Sequence, residues 1–376
     1  MFDEIGSEFW IDPSALISRK TGDSAISLPT FFFEGQKPLF TATGRSAITC
    51  LLRHINPASK SVFLPDYTCD TVIRPFVTEN YHLHFYRVNE SLQDAPEEWL
   101  ENFYRFKPGV VLLHPYFGFD TIRLLRLFYK EIQDNGSIII EDATHSLLSS
   151  FTLESRPDYY VGSLRKWLAL PDGGFVLSCN DNNSNLPTIL PPDLFYTRCR
   201  CHAMVLKRHY IQDGSHWKKE RFLDLFAQAD GHLEQKSEVF GMSEISRTIF
   251  RETNWEELIL LRRKNYRFLH DALTPYATWL RPVFSTLPDD VCPLFMPIWV
   301  SENHRNILKD FLVGNHIYTP VHWPFSSLIP QGHENSIYHH CLSIPCDQRY
   351  NEESLSRVLE TIDRYTSIYC GHRLIS

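Results

Sequence analysis

The chain has 376 residues, 43% of them hydrophobic and 22% charged. That is long enough for two packed domains and unlike a disordered sequence. Its formal net charge of -8 comes without any Lys/Arg-rich run, which argues against nucleic acid or an anionic membrane as the main partner. No basic n-region or apolar h-region follows Met1, and no apolar run is long enough to cross a bilayer. The nine cysteines therefore read as reduced thiols of a cytoplasmic protein.

Residues 1–38 form an arm with little periodicity that carries the apolar patch Phe31-Phe32-Phe33. Residues 39–254 then alternate strand-like and helical patterns. Ala47 to His54 predicts a helix, Val62 to Pro65 a strand closed by a breaker, and Leu83 to Val88 an alternating strand. Gly109 to His114 and Ser137 to Asp142 are near-continuous β-branched or leucine runs, as in a mostly parallel sheet buried on both faces. Between them Thr121 to Gln133 carries apolar residues at helical spacing, completing a βαβ unit. Asn180 to Asn185 is a loop by composition. Residues 255–376 read as a second domain. It opens on a long helix, Trp255 to Leu273, and continues with strands at Leu294–Val300 and Leu342–Pro345. It closes on an amphipathic helix, Glu352 to Tyr365, with Leu355, Val358, Leu359 and Ile362 on one face.

Two segments carry chemistry. Ile138 to Asp142 delivers a carboxylate at a strand end, and Gly162-Ser163-Leu164-Arg165-Lys166 delivers a serine and, three residues on, a lysine before Gly173-Gly174. An acid at a strand end followed by Ser-x-x-Lys is what a pyridoxal phosphate site requires. The lysine makes the Schiff base, the acid pairs with the protonated pyridine nitrogen, and the serine holds phosphate. A surface lysine beside Arg165 and a helix-capping aspartate are the structural alternatives, and Glu141 adjoins Asp142 as a competing carboxylate. Gly44-Arg45-Ser46 stands before a helix start, where backbone amides and the helix dipole favour a dianion; Thr43 or Ser46 as a plain N-cap needs the same geometry.

From about Leu39 to about Tyr365 the landmarks resemble the DegT/DnrJ/StrS family of sugar aminotransferases. These are Thr43-Gly44-Arg45-Ser46-Ala47-Ile48, Leu64-Pro65-Asp66-Tyr67-Thr68, His114-Pro115-Tyr116-Phe117-Gly118, Gly241-Met242-Ser243, Arg262-Arg263-Lys264-Asn265-Tyr266 and Leu342-Ser343-Ile344-Pro345. The resemblance implies an α/β fold, the fold-type I pyridoxal phosphate-dependent transferase fold. Its large domain holds a mostly parallel seven-stranded sheet between helices, and a smaller C-terminal α+β domain follows. It implies a homodimer with shared active sites, an amino acid donor such as glutamate, and a keto-sugar acceptor of the nucleotide-linked kind. It also implies that the N-terminal arm is covered by the other domain or by a partner subunit. It selects Lys166 and Asp142 as catalytic and places Gly44, Arg45, Ser46, Ser163 and His145 around the cofactor. Where relatives stack an aromatic ring on the cofactor, this chain has Cys69 with Tyr67 two residues before, and either can take that place. The Asn-x-Arg segment that relatives use on the partner's phosphate is missing before Met242-Ser243, which leaves a transaminase or lyase acting on a non-sugar substrate as the alternative. A non-catalytic binding protein would be expected to lose the lysine or the acid. His322 and Trp323 fall where relatives face the substrate, with packing an equal reading for Trp323. Arg198 and Arg200 read as an exposed loop face or an anion contact. Cys199-x-Cys201-His202 has no second cluster of matching spacing, so no metal is expected.

Overall fold

Strands rich in Val, Ile and Leu need cover on both faces, and here they form the middle of a seven-stranded sheet. The computed structural model describes residues 4–12, 37–93, 95–151, 155–179, 188–276 and 278–370. The strands in chain order are β1 (Ile5–Gly6), β2 (Leu39–Thr41), β3 (Ser61–Pro65), β4 (His82–Tyr86), β5 (Val110–Leu113), β6 (Ile138–Asp142), β7 (Tyr159–Ser163) and β8 (Gly174–Ser178). The large sheet has the order β2-β8-β7-β6-β5-β3-β4. The run β4-β3-β5-β6-β7 is parallel, and β8 lies antiparallel to both β7 and β2. Val110 to Leu113 are all fully buried, as the continuous apolar run requires.

The segment expected as one helix over Thr121–Gln133 is two short ones, Arg123–Arg126 and Tyr129–Asp134. Leu127 N and Phe128 N donate to the carbonyls of Leu124 and Leu125, three residues back, which tightens the chain and ends the first helix. The turn lets Arg126 reach inward to Glu141. The polar cluster at 180–185 and the Phe31-Phe32-Phe33 patch lie outside the described residues.

Two long helices, Leu194–Asp213 and His216–Glu234, pack against each other as a hairpin turned at Gly214. Arg198 and Arg200 belong to the first of them, not to a loop. Its apolar period is weak because its inner face buries Thr197, Arg200 and Lys207 beside Tyr196, Ala203 and Met204. Arg200 is 2% exposed and pairs with Glu8 and Asp230, each at 3.2 Å.

The helix Trp255–Leu273 leads to a smaller antiparallel sheet of order β12-β10-β9, made of β9 (Leu280–Pro282), β10 (Met296–Val300) and β12 (Cys341–Ile344). Helices Glu302–Gly314 and Glu352–Tyr369 pack together beside it, with Leu355, Val358 and Ile362 buried and Leu359 half-buried. β11 (Ile317–Tyr318) pairs with β1 from the other end of the chain. Residues 4–12 thereby join this region to the helix hairpin. Gly6 N donates to Tyr350 Oη at 2.7 Å, and Lys207 Nζ lies 3.2 Å from Glu4 and donates to the Glu8 carbonyl at 2.6 Å.

The sheet edge depends on one close approach. A Cβ at Gly174 would lie 2.3 Å from Thr43 C and O and 2.6 Å from Gly44 N. Gly174→Ala is therefore expected to lower unfolding stability by about 1–3 kcal/mol through overpacking. Urea unfolding of the purified variant measures this, and an unchanged midpoint would contradict the packing argument.

Candidate active site

A cavity of about 250 Å³ opens where β5, β6 and β7 end. It lies beside the place where strand order reverses between β3 and β5, which is where open α/β sheets leave a crevice for ligands. Successive strand residues point to opposite faces, and this separates the two adjacent carboxylates of β6. Glu141 turns away from the cavity, 1% exposed, and binds Arg126 at 2.7 Å and the Tyr129 hydroxyl at 2.8 Å. Asp142 lines the cavity. The pleat thus puts one of the two carboxylates on the cavity and the other on the opposite face.

Asp142 is 3% exposed and accepts from Thr144 N at 2.9 Å. β5 and β6 are in register with Leu113 opposite Glu141, so the next pair brings His114 beside Asp142, its Nδ1 3.5 Å from Oδ2. Burial alone would raise the Asp142 pKa. The His114 imidazole and the Thr144 amide and hydroxyl outweigh it and hold the carboxyl below its ordinary value. A buried carboxylate kept ionised in this way can hold a proton on a base brought against it.

Thr144 also accepts from Ser163 N through Oγ1 at 3.0 Å and from Trp167 Nε1 through its carbonyl at 2.8 Å. Ser163 ends β7 and Lys166 follows in the 3-10 turn Leu164–Lys166. Three further contacts set this turn: Leu164 N donates to Gly173 O at 3.1 Å, Gln348 Nε2 donates to Trp167 O at 2.8 Å, and the Arg262 guanidinium lies 4.7 Å from the Trp167 ring. Lys166 itself is exposed on the cavity wall. The backbone around it is held while the amine stays accessible.

The helix Gly44–His54 starts against the same wall. Thr43 caps it, its Oγ1 accepting from Ser46 N at 3.0 Å and meeting Ser46 Oγ at 2.8 Å. The amides of Gly44 and Arg45 precede the first intrahelical bond, Ala47 N to Thr43 O, and have no acceptor inside the helix. A Cβ at Gly44 would lie 3.1 Å from Ser163 Cβ, so the glycine keeps a narrow cradle open between the helix start and the strand end. Such a cradle suits a phosphate.

Aromatic side chains close the inner wall. His145 stacks on Trp323 with ring centroids 5.3 Å apart, and His114 lies 4.7 Å from His145. Phe117 N donates to His145 Nδ1 at 3.3 Å, which assigns the proton of the neutral ring to Nε2. Burial, with His114, His322 and Lys166 nearby, holds His145 well below the ordinary histidine value. His322 Nδ1 meets Ser343 Oγ at 2.8 Å, and burial, with Lys166 and His114, lowers its pKa to about 3. Among the described residues neither ring nitrogen of His114 makes a hydrogen bond within normal geometry, and its Nδ1 meets Asp142 only at the 3.5 Å ion-pair distance.

Of the residues singled out in the sequence, Gly44, Arg45, Cys69, Asp142, His145, Ser163, Lys166 and Trp323 line the cavity. Ser46, Tyr67 and His322 lie behind its wall. Tyr67 is fully buried under Trp323, Tyr116 and Tyr338, with ring centroids 5.1–5.4 Å away, so Cys69 is the one of the two stacking candidates that reaches the cavity surface. Sequence reasoning missed the site roles of His114, Thr144 and Tyr196. The place of His114 at the end of the strand next to Asp142 was a usable signal, whereas nothing local marks Tyr196. Among the described residues no His, Cys, Asp and Glu group is placed to hold a metal ion.

No protein-family model matches the chain, and no curated protein matches it at a significant level. Solved structures do resemble it. Helicobacter pylori PseC, an aminotransferase involved in the biosynthesis of pseudoaminic acid, superposes with a TM-score of 0.68 at 14% identity, covering 97% of this chain and 100% of its own. The sugar aminotransferase CalS13 from Micromonospora echinospora gives 0.64 at 15% identity, covering 95% and 99%. A DegT DnrJ EryC1 StrS aminotransferase from Brucella abortus gives 0.59 at 14% identity, covering 88% and 86%. At these identities the likeness speaks for the fold. The chain has the fold-type I architecture that these sugar aminotransferases share.

The buried histidines predict a pH dependence. With His322 at about 3 folded against 6.5 unfolded, only the unfolded chain takes up this proton between those values. Stability is therefore lost as pH falls below about 6.5, at up to roughly 1.4 kcal/mol per pH unit for one such group. His322→Asn should flatten the slope of unfolding free energy against pH between pH 6 and pH 4 by close to one proton. An unaltered slope in denaturant titrations would refute this.

Proposed function

We propose that this chain is a pyridoxal phosphate-dependent aminotransferase that moves an amino group from an amino acid donor, glutamate in the first instance, to a keto-sugar. One observation carries the reading: Asp142, Lys166 and the cradle of Gly44 and Ser163 converge on a single cavity. The donor set suits the cofactor, since it offers a buried anion for a ring nitrogen, a reachable amine for an aldehyde, and backbone amides with a hydroxyl for a phosphate. When bound, pyridoxal phosphate supplies an aldehyde that condenses with amines and a protonated ring that draws electrons from the adjoining carbon.

The chain's own residues do the rest. Asp142, ionised and buried, keeps a proton on the nitrogen it faces. Ser163 Oγ and the Gly44 and Arg45 amides receive the phosphate. His145, with its proton on Nε2, donates into the cavity and suits a ring oxygen. Trp323, stacked on His145, and Cys69 line the cavity and would exclude water from a cofactor held there. The Lys166 amine, once unprotonated, takes the proton from the donor's α-carbon and later returns one to the acceptor carbon. The reading includes a homodimer whose sites are completed across the subunits, which light scattering checks; a monomer under active conditions would remove that part.

Incubation with pyridoxal phosphate, borohydride reduction and peptide mass spectrometry should yield a pyridoxyl adduct on Lys166, absent from Lys166→Ala. Asp142→Asn should retain the adduct and slow amino transfer from glutamate by roughly 100-fold or more, the scale on which loss of one preorganised electrostatic group is felt. No adduct on Lys166 in the unaltered protein would overturn the cofactor assignment. Amino transfer to keto acids with none to keto-sugars would overturn the sugar assignment.

A further inference from the structure

Two polar groups on the cavity wall have no task in the scheme above. Tyr196, on the helix Leu194–Asp213, is 1% exposed, and among the described residues its hydroxyl has no hydrogen-bond partner. Arg165, between Ser163 and Lys166, has a buried Nε that is likewise unpartnered, and among the described residues its guanidinium closes no ion pair. Both line the cavity. Leaving such donors buried and unmatched costs stability, and functional sites are where that cost is tolerated.

The neighbouring charges are already engaged. Arg45 pairs with Glu234 at 3.2 Å, and Arg200 pairs with Asp230 and Glu8 at the same distance. Besides Asp142, the carboxylates that line the cavity, Asp230 and Glu234, are thus each held by another arginine. Among the described residues Arg165 alone of these three arginines combines an unpartnered Nε with no ion pair, although Glu8, Asp230 and Asp172 lie near enough to favour its charge. A guanidinium donates only and stays protonated, while a phenol can donate in the same direction. A group with several acceptor oxygens and a negative charge satisfies both and matches the guanidinium charge as well.

We infer that Arg165 and Tyr196 form an oxyanion subsite of the cavity that takes a phosphoryl or carboxylate group of a bound ligand. Within the proposed function, on which this rests for the identity of its occupant, the two sources are the cofactor's phosphate and the donor's carboxylate. Shielding from water strengthens both contacts.

The test begins with inorganic phosphate, titrated by calorimetry into the cofactor-free full-length protein, Arg165→Gln and Tyr196→Phe, with circular dichroism melts to verify folding. Arg165→Gln should weaken phosphate binding roughly 10- to 100-fold, the effect of losing a charge-assisted hydrogen bond, and Tyr196→Phe should weaken it several-fold. Tyr196→Phe removes a single oxygen, so it keeps the test decisive if Arg165→Gln fails to fold. Next, pyridoxal phosphate and pyridoxal are compared. A loss in Arg165→Gln confined to pyridoxal phosphate assigns the subsite to the cofactor's phosphate. An unchanged cofactor affinity with a raised KM for glutamate assigns it to the donor's carboxylate. Phosphate binding that is absent, or equal in all folded proteins, overturns the subsite. The phosphate titration does not depend on the Lys166 adduct, so failure of the subsite and failure of the cofactor reading are separately visible.

Discussion

Thr144 is the joint on which the geometry of the cavity depends. Its amide donates to Asp142, its hydroxyl accepts from the Ser163 amide, and its carbonyl accepts from the Trp167 indole. One residue thus couples the carboxylate of β6, the serine of β7 and the turn that carries Lys166. Hydrogen bonds of this kind gain strength away from water, and each is directional, so together they fix separations that sheet pairing alone would leave loose. Arg262 and Gln348 hold the far side of the same turn from the C-terminal part of the chain, which extends the constraint across the molecule.

The electrostatics follow from that packing. The cavity has an anion, Asp142, on its wall, and beside it His145 and His322, which burial keeps neutral. A neutral His145 can stack on Trp323 with His322 edge-on beside it, which two imidazolium ions in the same place could do only against mutual repulsion and desolvation. The adjacent carboxylate, Glu141, spends its charge on Arg126 on the opposite face of the sheet, with Tyr129 completing its hydrogen bonds. Two neighbouring acids therefore stand in two unlike environments. One is neutralised by a fixed cation, and the other has only weaker polar partners and remains available to a ligand.

The first residues of the chain matter to this arrangement as well. β1 adds to β11, Glu4 reaches the buried Lys207, and Glu8 reaches Arg200 on the helix hairpin. Burial lowers the pKa of Lys207 to about 8, with Glu4 opposing the shift. Such a pair contributes less to stability than to register, since its desolvation offsets much of its attraction. Its place is between the hairpin that carries Tyr196 and the β1-β11 pair, so it ties the hairpin to that pair.

Sequence alone determined the elements whose signal is local. The β-branched runs at 110–113 and 138–142, the helix over Trp255–Leu273, the Ser-x-x-Lys turn and the acid at a strand end were all legible, because period, length and turn residues are properties of neighbouring positions. Tertiary structure decided what distant positions do to one another. It chose Asp142 over Glu141 through the face of the pleat, set Cys69 on the cavity and Tyr67 behind it, and split the helix over 121–133 where Arg126 turns inward. It also made a helix of the segment around Arg200, whose apolar period is masked because the charges it buries find partners on Glu8 and Asp230. The physical reason is common to these cases. A buried polar group is placed by its partner, and the partner lies far away in sequence.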